Sequence, residues 1–128
     1  MKKILVADIP QMDVRYRTAL AGREVEFVRT MAEARQALGR PCDLVAIGVY
    51  FDDSRMFDLV RWLRADPAHG KLPIVCVRGR PGFTAVTTRT LELTLKALTV
   101  DEFIDLMHFG DDAGNAALRA AVARLLKA

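Results

Sequence analysis

The sequence predicts an α/β protein in which one parallel sheet of five strands carries helices on both faces. Two observations support that expectation. Short runs at 3–7 (KILVA), 44–49 (LVAIGV) and 74–77 (IVCV) have the length and nearly unbroken apolar character of strands buried on both faces. Between the strands lie segments whose apolar residues recur at helical spacing, bounded by Pro, Gly and Asp, so strand and helix alternate five times. Parallel neighbours need crossover connections, and right-handed crossovers on both faces give the strand order 2-1-3-4-5. That order brings the carboxyl ends of the first and third strands together, where open α/β sheets bind their ligands.

Each element has its own signal. Asp8 stands at the end of the first strand, and Pro10-Gln11 makes the turn into a helix over 12–20, with Met12, Tyr16 and Leu20 on one face and Gly22 as its stop. The alternation of EVEFV at 24–28 predicts an edge strand with one wet face. Thr30-Met31-Ala32-Glu33 matches a capping box and opens a second helix that runs to Leu38, before Gly39, Arg40 and Pro41. The third strand leads into a polar turn, where Asp52, Asp53 and Ser54 are placed to cap a helix carrying Phe57, Val60 and Leu63 and stopping at Asp66-Pro67. The fourth strand ends at Arg78, and 79–82 reads as a Gly- and Pro-rich loop. From Thr84 onward, Leu91, Leu95 and Leu98 favour a helix over the competing alternation of Leu91, Leu93 and Leu95. The fifth strand is EFIDL at 102–106, at the other sheet edge. A last helix, capped by Asp111 or Asp112, turns Leu118, Val122 and Leu125 inward.

Composition narrows the function classes. At 128 residues, 52% hydrophobic and 27% charged, the chain is expected to fold as a single domain over 1–128. No apolar run approaches the roughly 20 residues of a membrane span, and Lys2-Lys3 leads straight into a strand, so neither a membrane segment nor a secretory signal is expected. Cys42 and Cys76 lie far apart without a CxxC spacing, which reads as a reduced, cytoplasmic setting with Cys76 in the core. A net charge of +3, with its arginines scattered, argues against nucleic acid as the partner.

Four stretches carry a family resemblance: KKILVAD at the start, DLVAIGVYF around the third strand, LVRWLRADP followed by LPIV, and VDEFIDL near the fifth strand. Over nearly its whole length the chain resembles the receiver domain of two-component response regulators, the CheY-like family. The resemblance implies a flavodoxin-like three-layer sandwich. It also implies a phosphoacceptor pocket with an aspartate ending the third strand, acidic Mg²⁺ ligands after the first, a Ser or Thr ending the fourth and a Lys ending the fifth. Here the acceptor position falls on Gly48, which cannot form an acyl phosphate, and the acidic pair is reduced to Ala7-Asp8. The hydroxyl position falls on Arg78 and the lysine position on Leu106, with Met107 where the family has proline. Phe103 stands where the family often carries a switching aromatic, although a buried strand phenylalanine is the plainer reading.

The expectation is therefore a degenerate receiver, not an enzyme: a phosphorylation-independent pseudo-receiver that works by protein contacts in bacterial two-component signal transduction. Its partners would be signalling proteins (a kinase, a regulator or an output domain), met through helix 4, strand 5 and helix 5, where Leu93 and Val100 could form an apolar patch for a homodimer. No cofactor is expected, and Asp8 is at most a remnant metal ligand. Asp8 is expected to be held by backbone N–H groups or by a cation, and the specific expectation is that Arg78 enters the space left by Gly48 and pairs with Asp8. Asp52 or Asp53 as a displaced phosphoacceptor is the rival, set against a helix cap and a solvated residue. A flavin or small-ligand site is a further rival, disfavoured because residues 8–12 lack the Gly and Ser/Thr of a phosphate cradle. Arg78 and Arg80 with Gly82 could hold an anion but read as a solvated loop, Trp62 could serve a contact, and His69 and His108 have no partner at recognisable spacing.

Overall fold

A computed structural model describes residues 2–80 and 88–127. The strands are β1 (Lys3–Ala7), β2 (Glu24–Val28), β3 (Leu44–Gly48), β4 (Ile74–Arg78) and β5 (Glu102–Asp105). The helices are α1 (Asp13–Ala19), α2 (Met31–Ala37), α3 (Met56–Ala65), α4 (Thr88–Ala97) and α5 (Asp111–Lys127). All strand pairs are parallel, in the order β2-β1-β3-β4-β5. The sheet is the flavodoxin-like, CheY-like three-layer arrangement expected.

Alternation along the strands decides which layer each residue joins. Leu5, Ala7, Val45, Ile47, Ile74 and Cys76 meet α2, α3 and α4 on one face. Ile4, Val6, Leu44, Ala46, Val75 and Val77 meet α1 and α5 on the other. The three interior strands, β1, β3 and β4, therefore have to be apolar, and they are except for Lys3 and Arg78 at their ends. On α5, Leu118 and Val122 face the sheet as expected, while Leu126 is the more deeply buried neighbour of Leu125.

Several local expectations are corrected. The turn Phe51–Ser54 does not lead smoothly into α3, because Asp52, Asp53 and Ser54 all have positive φ (45°, 54° and 65°), a left-handed course no α-helix can share. No side chain caps α3, and Asp52 instead accepts the Met31 N–H at 2.9 Å, capping α2 beside its own Thr30. On α3, Met56, Leu59, Val60 and Leu63 fill the core, while Phe57 is half-buried with Arg61 over its ring. β5 stops at Asp105 and Leu106 begins a short 3-10 turn, because the Asp105 carboxylate accepts the Met107 N–H at 3.0 Å and turns the chain out of the sheet. The last helix begins at Asp111 with its first bond from the Gly114 N–H to the Gly110 carbonyl, so neither aspartate stands at the cap position. The expected helix entry at Thr84 and the loop residue Gly82 lie outside the described residues.

Candidate functional site

The carboxyl ends of β1 and β3 lie side by side, with Ala7 in register with Ile47, so Asp8 and Gly48 are neighbours across the strands. Asp8 is buried, 3% exposed, and its carboxyl lies directly over Gly48. A Cβ at position 48 would sit 2.0 Å from the Asp8 carboxyl carbon, well inside any real contact. The Tyr16 hydroxyl on α1 donates to Asp8 Oδ2 at 2.6 Å, and the Ile9 N–H donates to Oδ1 at 2.8 Å. Tyr16 is fully buried, with its ring edge-on to Phe27. Arg29 comes near without touching the carboxyl. Its guanidinium is forked onto Asp13 and reaches only the Asp8 backbone carbonyl, at 3.2 Å. Desolvation is the largest influence on Asp8 and lifts its carboxyl to about 6, against the opposing pull of the Tyr16 and Ile9 hydrogen bonds.

Apolar side chains also pack at this end of the sheet. The Met12 side chain packs against Gly79, so that a Cβ at Gly79 would lie 2.2 Å from the Met12 methyl. Leu106 is buried in the same layer as Met12 and Tyr16. A hard cation such as Mg²⁺ needs several oxygen ligands, and both oxygens of the single buried carboxyl here already accept hydrogen bonds. The residues present do not fit that ion. Among the described residues no group of three or more His, Cys, Asp or Glu side chains converges as a metal site.

Arg78 does not pair with Asp8. Its Nη1 lies 3.5 Å from Asp105 Oδ2, and the two residues are in register on adjacent strands. β3 separates β4 from β1, which puts Asp8 two strand spacings, roughly 10 Å, from Arg78, whereas Asp105 is one spacing away. Asp105 is buried, and His108 Nε2 also lies 3.4 Å from its carboxylate. The carboxyl end of the sheet thus holds two separate polar groups, Asp8 with Tyr16 and Arg78 with Asp105 and His108.

The other candidate residues are dispersed. Asp52 is occupied as the cap of α2 and Asp53 is exposed on the left-handed turn, and among the described residues neither belongs to a metal-ligating cluster. Phe103 is half-buried against the core on the α4 side of the sheet. Leu93 is 54% exposed, but Val100 packs against the core, so the expected two-residue patch is reduced to Leu93. Trp62 is half-buried, with Arg35 over its ring and His69 beside it. His69, read from sequence as solitary, bridges Asp66 Oδ2 at 2.5 Å and the Leu38 carbonyl at 2.9 Å. Tyr16 is the site residue that sequence reasoning missed as a polar group. Its helical spacing marked it for the core, and nothing in the sequence shows that its hydroxyl meets Asp8.

No helix among the described residues is long and apolar enough to cross a membrane. No family model matches the chain, and no curated protein matches its sequence. Solved structures do match. The signal receiver domain of a histidine kinase from Syntrophus aciditrophicus superposes with a TM-score of 0.76 at 24% identity, over 99% of this chain and 91% of that one. The phosphorylated cyanobacterial phytochrome response regulator RcpA gives 0.78 at 20% identity, over 98% and 94%. The chemotaxis response regulator CheY4 of Vibrio cholerae gives 0.72 at 21% identity, over 94% and 98%. At such identities the likeness concerns the fold, which this chain shares with receiver domains from end to end.

Proposed function

We propose that this protein is a phosphorylation-independent pseudo-receiver, a protein-interaction module of a two-component-type signalling system that carries out no chemistry of its own. The observation that carries the reading is the end of β3. Gly48 offers no carboxylate where receivers accept phosphate, and the space above it is taken by Asp8. The whole-length likeness to a kinase's receiver domain and to two response regulators supports signalling proteins as partners. A displaced acceptor at Asp52 is disfavoured because its carboxylate already caps α2.

Titration of ¹⁵N-labelled protein with beryllofluoride and Mg²⁺ tests the reading. No chemical-shift change is expected, and saturable shifts centred on the turn holding Asp52 and Asp53 would overturn it. Homodimerisation through α4, β5 and α5 belongs to the same proposal, with exposed Leu93 as its support. Light scattering across a concentration series should show a dimer that Leu93→Lys dissociates; a strict monomer at every concentration would dismiss it.

A further inference from the structure

The three atoms nearest a Cβ at Gly48 are all from the Asp8 carboxyl, and no backbone is among them. Gly48 is also absent from the residues with positive φ, so its backbone does not call for glycine. The missing side chain at 48 and the carboxyl at 8 are therefore complementary, each making room for the other. The carboxyl is held on both oxygens, by Tyr16 from α1 and by its own turn at Ile9. Moving it would strand the hydroxyl of a fully buried tyrosine without its acceptor.

We propose that Asp8 is an internal plug, latched by Tyr16, that occupies the place of the side chain lost at position 48 and fixes the carboxyl end of the sheet in one arrangement, shut to cations and phosphoryl groups. The inference rests on position 48 being the lost acceptor, and adds what replaced it and what holds the replacement. Loss of the acceptor and closure of the pocket are then one coupled change. A carboxylate returned to position 48 alone meets the plug instead of a cavity.

The test is a double-mutant cycle on the full chain, followed by chemical denaturation without Mg²⁺ or any phosphoryl compound. Gly48→Ala should lower the folding equilibrium constant of the wild type tenfold or more, a loss of about 1.4 kcal/mol. In the Asp8→Ala background the same substitution should cost less than threefold, because the atoms it meets are gone. Failure of Gly48→Ala to fold while the double variant folds is the same result in stronger form. Equal losses in the two backgrounds, or failure of both to fold, would overturn the plug. The latch has its own readout. Tyr16→Phe keeps the ring and should speed hydrogen exchange at the Ile9 amide at least tenfold while leaving the Met107 amide, bonded to Asp105, unchanged. Equal acceleration at both amides would mean general loosening and would refute the latch. Failure of the cycle leaves phosphorylation independence standing, since glycine still has no carboxyl. A wild-type response to beryllofluoride overturns that reading on its own.

Discussion

Asp8 has a measurable signature in the pH dependence of stability. Burial raises its carboxyl from 3.8 to about 6, so the folded state binds the proton more tightly than the unfolded chain does. A raised carboxyl pKa contributes stability below about pH 4 that is lost as pH rises through 6, the reverse of a salt-bridged aspartate. The loss amounts to about 3 kcal/mol at neutral pH, from the usual conversion of a pKa difference to free energy. Asp8→Asn keeps the size and a hydrogen-bonding oxygen but cannot ionise. Urea denaturation between pH 4 and 7.5 should show the variant gaining stability relative to the wild type as pH rises, and parallel curves would show that Asp8 does not titrate in this range. The left-handed turn gives a second residue-level expectation. Asp53 is exposed at φ 54°, where a Cβ is strained and glycine is not. Asp53→Gly should therefore raise stability by about 1 kcal/mol, seen as a higher denaturation midpoint at unchanged slope. The glycine ending the third strand is readable in the sequence; the carboxyl of Asp8 above it is not, because that contact joins the ends of two strands far apart in the chain and leaves no mark in local spacing.

Among elements, those whose signals are local were legible and those closed by distant partners were not. The cap at Thr30 and Glu33 forms close to what the spacing dictates: the Thr30 hydroxyl accepts the Glu33 N–H, while the Glu33 carboxylate reaches the N–H of Arg29, one residue before the cap, instead of that of Thr30. The start of α3 was misjudged because Asp52 satisfies Met31, a partner 21 residues away. The Arg64 staple belongs to the same hidden class. From the end of α3 its guanidinium bonds the carbonyls of Leu72, at 2.7 Å, and Gly70, at 3.2 Å, ahead of β4. It also reaches the Thr99 carbonyl and Asp101 ahead of β5, where Thr99 sits at φ 61°. One planar fork thus fixes the entries to two neighbouring strands. Arg64→Lys keeps the charge but cannot span both loops, and should cost about 2 to 3 kcal/mol of stability, close to Arg64→Ala. A lysine variant with wild-type stability would show that the charge, not the fork, matters.

At the scale of the whole molecule, a single sheet carries both cores, and that geometry fixes how the protein unfolds. The β3 residues alternate between the layers, Val45 and Ile47 facing α2, α3 and α4, and Leu44 and Ala46 facing α1 and α5. Neither layer can lose its packing without exposing strands that the other layer needs, so unfolding should be one cooperative transition. The single tryptophan makes this observable from one side, because Trp62 lies on α3, packed against the α2–α4 layer. Leu118 is fully buried in the opposite layer, on α5. Leu118→Ala should cost about 2 to 5 kcal/mol, as large-to-small core changes do. If the sheet couples the layers, Trp62 fluorescence must shift by the same amount as far-ultraviolet circular dichroism, although the substitution is on the far side of the sheet from the indole. A fluorescence midpoint that stays at its wild-type value while the circular dichroism midpoint falls would show two layers unfolding independently, and the sheet would then not be the element that makes this chain one cooperative unit.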